Sequence, residues 1–338
     1  MKDKNIKAIG LISGGLDSVL AVKLILEQGI SVIGVHFITP FMAQPSKVAG
    51  IETLPQKHAR QLGFELRTIH LGDDYIHLIK NPQWGYGSCM NPCLDCHILF
   101  FQKAKEIMQE EGAHFVFTGE VLEQRPKSQK RTLLRMVEKK SDLEGYLLRP
   151  LTAHRLEPTV PEKLGWVNRE KLLNFAGRNR KPQIALAKSF GITEYHSPAG
   201  GCLLTDPNFC GRLKDLFDRG AADSNSIQML KVGRHFRLSP YAKLVLGRDE
   251  RDNRFLAQLA LEQDVLLEAD GGGSPLSILR GEINDNILSL AASITKRFSR
   301  ARNSPDIAVR IRHANSTLTT SIIPPILDEG LLESLRIK

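Results

Sequence analysis

Residues 6 to 28 constrain the fold more than any other part of this 338-residue chain. Ile6 to Ile12 is a short, continuous, isoleucine-rich run, the pattern of a buried strand, and Leu16 to Gln28 reads as a helix that Gly29 ends. Only Ser13-Gly14-Gly15 joins them, so the turn is tight. Strand, glycine turn and helix N-terminus together make an anion site. The glycines let backbone approach phosphate oxygens without a Cβ between them, and the free N–H groups and helix dipole favour negative charge. Ser13 and Ser18 add hydroxyl donors. Asp17 sits in the first helical turn, where the dipole favours an acid; beside a triphosphate it suits a Mg²⁺ ion. The Gly-Lys-[Ser/Thr] ending of a Walker A loop is missing.

The strand–helix alternation continues. Ile30 to Phe37 is a second buried strand, Pro55 to Leu62 a helix with Pro at its start and Gly63 at its end, and Phe64 to Leu71 a third strand. Residues 38–50 read as a loop over the site. A helix fits from Cys96 to Gly112, and His114 to Phe117 is a strand ending in Thr118-Gly119-Glu120. Tyr146 to Pro150 is a short strand, and a helical stretch carries Gly177 to Gln183 and runs on to Phe190. These alternations predict a doubly wound, mainly parallel α/β sheet over residues 1–210, whose ligands bind at the carboxyl ends of the strands. His36 ends the second strand and is expected to be packed rather than catalytic. Residues 211–228 read as a linker, and 229–338 as a smaller α+β domain. In that domain strands fit Ala242 to Leu246, Val265 to Glu268, Ile307 to Ile311 and Thr317 to Ile323; helices fit Arg251 to Glu262 and Asn284 to Ser299.

A hydrophobic content of 42% with 25% charge is that of a soluble globular chain, and no apolar run reaches membrane-spanning length. No signal-type h-region opens the sequence, so the expectation is a cytoplasmic protein without a membrane partner. The net charge of +9 suits either a solvated basic surface or a polyanionic partner, here RNA. Two basic clusters lie beside the crevice: Arg125 and Lys127, and Arg178, Arg180 and Lys181. They are candidates for RNA phosphate contacts. Arg297 to Arg302 adds a basic segment, which fits a solvated helix end.

Five cysteines, an odd number, argue against a disulfide framework. Cys93 and Cys96 follow the turn-rich stretch 81–92, and Cys93 falls at a helix start, where the dipole lowers a thiol pKa. Cys202 follows Gly200-Gly201. Cys210 reads as a small buried hydrophobe. Three chemistries suit Cys93, Cys96 and Cys202: zinc, with His97 or Cys89 as fourth ligand; a persulfide on Cys93 resolved by Cys202; or an iron–sulfur cluster held by three thiolates. Each requires the sulfurs to converge on the nucleotide crevice.

Ser13-Gly14-Gly15-Leu16-Asp17-Ser18 resembles the PP-loop of the N-type ATP pyrophosphatases, an adenine nucleotide alpha hydrolase-like fold. Asn91-Pro92-Cys93-x-x-Cys96 resembles the motif of bacterial tRNA 2-thiouridylases. Thr118 to Gln129 and Leu148-Arg149-Pro150-Leu151 are similar to stretches of tRNA 4-thiouridine synthetases. Cys93, Cys96 and Cys202 are similar to the cluster ligands of archaeal-type tRNA thiolases. Val232-Gly233-Arg234 with Gly247-Arg248 and Asn253 is similar to the RNA-binding module NFACT-R. These resemblances imply an ATP-dependent tRNA sulfurtransferase with ATP, Mg²⁺ and a [4Fe-4S] cluster, or a Cys persulfide in place of the cluster. Its partners would be tRNA and a sulfur donor, either sulfide or a desulfurase-derived persulfide. By the same carry-over Ser13, Gly14, Gly15, Asp17, Ser18 and Gly119 bind the nucleotide, and Cys93, Cys202 and Asp17 are catalytic. Arg125, Lys127, Arg178 and Arg180 contact tRNA. Two other readings stand beside this one: an RNA-binding protein with a degenerate nucleotide domain, and a PP-loop synthetase acting on a small molecule. The tRNA position and the oligomeric state stay open; a homodimer is compatible with the sequence.

Overall fold

The computed structural model describes residues 5–42, 52–125, 127–196, 202–220 and 222–337. The chain divides into two compact units, Met1–Cys202 and Leu203–Lys338. In unit 1 the elements run β1 (Lys7–Leu11), α1 (Leu16–Leu26), β2 (Ser31–Ile38), α2 (Leu54–Leu62), β3 (Glu65–His70), α3 (Asp73–Lys80), α4 (Cys93–Glu110), β4 (Phe115–Thr118), α5 (Arg131–Lys140), β5 (Leu147–Leu148), α6 (Val160–Lys163) and α7 (Lys181–Ser189). The strands form one sheet in the order β3-β2-β1-β4-β5, and every neighbouring pair is parallel.

Period-2 alternation explains why these strands are apolar throughout. Ala8, Val32, Phe115 and Phe117 face a core shared with Ala21, Val22 and Ile25 of α1. Ile9, Ile33, Val35 and Val116 face the opposite core, shared with Ile98, Phe101, Ala104 and Ile107 of α4 and Val137 of α5. Both faces are covered, as parallel sheets require. The helix α2 begins with a capping box between Thr53 and Gln56 and ends at Gly63, whose φ is +74°.

Unit 2 comprises α8 (Pro207–Asp218), α9 (Ser224–Met229), β6 (Arg234–Ser239), β7 (Ala242–Leu246), α10 (Glu250–Leu259), β8 (Val265–Ala269), β9 (Ser277–Gly281), α11 (Asp285–Arg297), β10 (Val309–His313), β11 (Thr320–Ile322) and α12 (Glu329–Leu335). Its antiparallel sheet has the order β11-β10-β8-β9-β7-β6, and α11 packs Ala291, Ala292 and Ile294 into its core.

Two expectations are corrected. The stretch 211–228 is not a linker: α8 and α9 fill most of it, and the boundary falls between Cys202 and Leu203. Phe209, Leu213, Leu216 and Phe217 are buried at helical spacing, and Asp206 and Asp223 cap the two helices by accepting from Phe209 N and Ser226 N. The helix expected around Gly177 begins only at Lys181. Before it the backbone is tied elsewhere, through a Leu122–Ala176 bridge and a bond from Gly177 N to Leu122 O. The pair Gly200-Gly201 and most of the loop 38–50 lie outside the described residues.

Candidate functional site

The carboxyl ends of β1, β2 and β4 open on one crevice. After β1 the chain enters Gly14 at φ +76° and then α1. The loop is braced by its own hydroxyls: Ser18 Oγ donates to Gly15 O at 2.8 Å, Ser13 N donates to Ser18 Oγ at 3.3 Å, and Gly15 N donates to Ser13 Oγ at 3.3 Å. Gly14 O accepts from His196 N at 3.0 Å, which ties the loop to the segment after α7. Gly119 has a packing reason. A Cβ there would lie 2.5 Å from the Asp17 carbonyl, so only glycine lets the end of β4 meet the first turn of α1.

Asp17 faces this junction. Its Oδ2 accepts from Gln124 Nε2 at 2.7 Å, and Arg180 Nη2 stands 3.9 Å away. Its Oδ1 is buried with no hydrogen-bond partner among the described residues. Burial lifts the Asp17 pKa, and Gln124, Arg180 and Arg125 offset this only in part. A buried, orphaned carboxylate oxygen beside a phosphate-type loop fits a Mg²⁺ ion. Gln183 on α7 holds Gln124 from behind at 3.1 Å. Neither glutamine stood out in the sequence, because a lone Gln carries no motif.

Cys93 opens α4. The turn-rich segment before it is pinned by Asp95, whose carboxylate accepts from Gln83 N at 2.7 Å and Trp84 N at 3.3 Å. Cys93, Cys96 and His97 share one face of the first helical turns by their spacing. The Cys93 thiol is lifted rather than lowered: burial outweighs the opposing pull of Arg125, a backbone hydrogen bond and Lys127. The helix dipole expected to activate it is overcome by desolvation. Cys96 is buried more deeply, which, with Cys202 and Cys93 nearby, pushes its thiol up to about 12 even though Tyr75 Oη lies 3.0 Å from its Sγ.

Cys202 enters by a bridge to Met42. It acts electrostatically on both Cys96 and Tyr75, as Cys93 does. The three sulfurs expected to converge therefore face a common neighbourhood, around a tyrosine the sequence did not single out. Among the described residues no group of three His, Cys, Asp or Glu side chains stands close enough to hold a metal ion. His97 is turned to Glu120 rather than into a ligand set, with Nδ1 3.0 Å from Glu120 Oε1. Glu120 is buried between His97 and Arg149, whose Nε lies 2.9 Å from its Oε2; Arg149 also pairs with Glu138. Burial alone would raise the Glu120 pKa, but Arg149 and then His97 hold it down at about 2.

Of the basic residues, Arg125 acts on both Asp17 and Cys93, so it spans the gap between loop and thiols. Lys127 is exposed and donates from Nζ to Ser88 Oγ at 3.1 Å, and Arg178 is exposed. Arg180 is drawn to Asp17, toward the nucleotide corner rather than the open surface. His36 is buried, with Nδ1 2.8 Å from Ile12 O and its pKa lowered by burial. Cys210 is buried too, as expected. No helix among the described residues is long and apolar enough to cross a membrane.

Residues 4–158 match the family model described as Thiamine biosynthesis protein (ThiI), and residues 233–334 match that of the NFACT protein RNA binding domain. A tRNA-specific 2-thiouridylase MnmA of Nitratidesulfovibrio vulgaris is 28% identical over 180 residues, 51% of this chain and 51% of that protein. A probable tRNA sulfurtransferase of Methanosarcina mazei is 30% identical over 124 residues, 35% of this chain and 29% of that protein. The chain thus spans about half the length of the first relative and under a third of the second. A solved 4-thiouridine synthetase–RNA complex with bound ATP superposes with a TM-score of 0.38 and 18% identity, covering 67% of this chain and 52% of that one. Segments similar to these two family models thus occur in one chain.

Proposed function

We propose that the protein is an ATP-dependent tRNA sulfurtransferase. What supports this reading is that Cys93 and Cys202 both act on Cys96 and Tyr75, and that Arg125 acts on both Cys93 and Asp17, beside the Ser13–Ser18 loop. In the proposed reaction the uridine carbonyl oxygen attacks the α-phosphate of ATP and pyrophosphate leaves. A sulfur nucleophile then adds to the activated carbon and AMP departs, leaving thiouridine. Ser13, Gly14, Gly15 and Ser18 cradle the phosphates, and Asp17 Oδ1 takes the Mg²⁺. Gly119 keeps β4 close enough to seat the adenylate. Arg125 and Arg180 neutralise charge that builds on the α-phosphate, while Lys127 and Arg178, at the exposed rim, meet tRNA phosphates. The NFACT-type segment supports tRNA as the polyanion.

Cys93 and Cys202 deliver the sulfur. A persulfide relay needs two thiols; the third, Cys96, favours a [4Fe-4S] cluster on the three thiolates, which would present sulfide to the adenylate. Cys96 is hydrogen-bonded to Tyr75 and no three-ligand cage stands among the described residues, so the sulfurs would have to close around a cluster.

The experiment is anaerobic reconstitution with ATP, sulfide and bulk tRNA, followed by nucleoside mass spectrometry and iron analysis. Thiouridine and pyrophosphate are expected, and both should vanish in Asp17→Ala and Cys202→Ser while Cys210→Ser retains them. Thiouridine formation that survives both substitutions would overturn the reading. Full activity of an iron-free preparation supplied with a desulfurase-derived persulfide in place of sulfide would leave the persulfide route.

A further inference from the structure

Unit 2 carries a group of cations that the thiolation chemistry does not use. The strands β6 and β7 pair with Arg234 opposite Leu246, so Gly233-Arg234 and Gly247-Arg248 leave the sheet side by side. Asp252 ties the two turns together: its Oδ2 accepts from Gly233 N at 3.1 Å, Arg248 N at 3.2 Å and Arg248 Nε at 2.6 Å. Gly233 has φ +81°, and a Cβ on it would lie 2.4 Å from Leu246 O; one on Gly247 would lie 2.0 Å from Asn253 Oδ1.

On this platform two guanidinium groups lie over aromatic rings. Arg234 lies 4.9 Å over Phe298 and Arg336 lies 5.7 Å over Phe236, and the two rings are 5.8 Å apart. The C-terminal segment is held there by the Phe236–Arg336 bridge and a bond from Ile337 N to His235 O at 3.0 Å. Ring contact occupies the faces of these groups and leaves their N–H edges for an acceptor. Arg212, on α8, donates from Nη1 to Leu230 O at 3.0 Å.

Like charges crowd here. Burial, then Arg248 and Arg336, lower the Arg234 pKa; burial, then Arg248, lower that of Arg212. Arg248 pairs with Asp252 and Arg336 with Glu333, but among the described residues neither Arg212 nor Arg234 has a carboxylate within 4.0 Å. The Nε atoms of Arg212 and Arg336 are buried and have no hydrogen-bond partner among those residues. Buried donors without acceptors are costly, and an anion held by the neighbouring guanidinium groups would offset the positive charge crowded here.

We propose that Arg212, Arg234, Arg248 and Arg336 form a phosphate-binding site that takes consecutive backbone phosphates of RNA. The ligand class rests on the tRNA reading above; the anion site rests on geometry alone. Asp252 and Glu333 pair with Arg248 and Arg336, and Asp206 and Asp249 act from farther off on Arg212 and Arg248; the four guanidiniums come from α8, two turns and the C-terminal segment, a spread that suits phosphodiesters along a strand better than one small ion.

The test is tRNA binding by the full chain, measured as fluorescence anisotropy from 50 to 300 mM salt, with thiouridine formation scored separately. Arg234→Gln and Arg212→Gln should each weaken binding about tenfold near 0.1 M salt and reduce the salt slope by about one. Arg254→Gln, on the exposed face of α10, should change neither. Arg234→Lys keeps the charge and should keep the slope, which separates lost phosphate contact from damaged folding. Unchanged affinity and slope in both Gln variants, or a slope loss as large in Arg234→Lys, would overturn the proposal. So would millimolar inorganic phosphate protecting the wild type against heat while tRNA affinity ignores the substitutions. Intact, arginine-dependent tRNA binding without any thiouridine would instead count against the enzyme reading alone.

Discussion

Replacing Glu120 by Gln tests the ion network that fixes α4 against the sheet. The carboxylate is 6% exposed and Arg149 is 1% exposed, so neither charge can fall back on water. Removing one partner of a buried pair costs roughly 3–5 kcal/mol, because the other charge stays buried. The low Glu120 pKa leads to a similar figure: a carboxyl held at about 2 against an ordinary 4.5 contributes about 3 kcal/mol of stability at neutral pH. For a unit of 202 residues this is a loss of roughly 6–12 °C in melting temperature. The sign of the pH dependence follows. A depressed carboxylate stabilises above its unfolded pKa, and the gain fades as pH falls from 4.5 toward 2. The gap between wild type and Glu120→Gln should therefore shrink by about 2 kcal/mol between pH 7 and pH 3. Urea unfolding followed by tryptophan fluorescence (Trp84 and Trp166 lie in this unit) reads it directly. Adding Arg149→Met together with Glu138→Gln should restore part of the loss, since Arg149 also pairs with Glu138 and all three charges are then gone. A loss under about 1 kcal/mol at pH 7, or a gap that does not change with pH, would refute the argument.

Three further outcomes are expected. Gly119→Ala places a methyl 2.5 Å from the Asp17 carbonyl and should cost about 1–3 kcal/mol while weakening ATP binding at least tenfold by calorimetry; unaltered ATP affinity refutes the packing role. With its thiol at about 12, Cys96 should be alkylated by iodoacetamide at pH 8 well after the exposed Cys89 and Cys202; mass spectrometry that finds Cys96 labelled first contradicts this. Burial lowers Lys243 to about 8 despite Asp215, so the unfolded chain binds the extra proton and unit 2 should gain stability from about pH 8 to 10.5. In Lys243→Met that rise should flatten in urea melts.

The strand–turn–helix at residues 6–28 was legible because three local signals agreed: a continuous apolar run, glycines and a helix stop. The parallel sheet followed from repetition of that unit. What escaped the sequence was held by distant partners. The helix α8 looked like linker because Asp218-Arg219-Gly220 and Asp223 to Ser226 lie at and beyond its end, while its buried face of Phe209, Leu213 and Leu216 becomes visible only at 3.6-residue spacing. The spacing Cys93-x-x-Cys96 marked the sulfur site, but neither Tyr75 nor the shift of the Cys93 thiol could be read, since both depend on burial by α3 and α4. Glu120 was placed at the crevice by its strand, and its bond to His97 needed the register of β4 against α4.

The Glu120 network bears on how sulfur changes hands. His97 lies one residue beyond Cys96 and is hitched to a carboxylate just past the end of a central strand, so the helical pair of sulfurs is tied to the sheet. Cys202 arrives on a separate stretch of chain, by a bridge to Met42. In the proposed sulfur transfer α4 would then serve as the fixed jaw of a vice, with its two thiols tied to the sheet through Glu120.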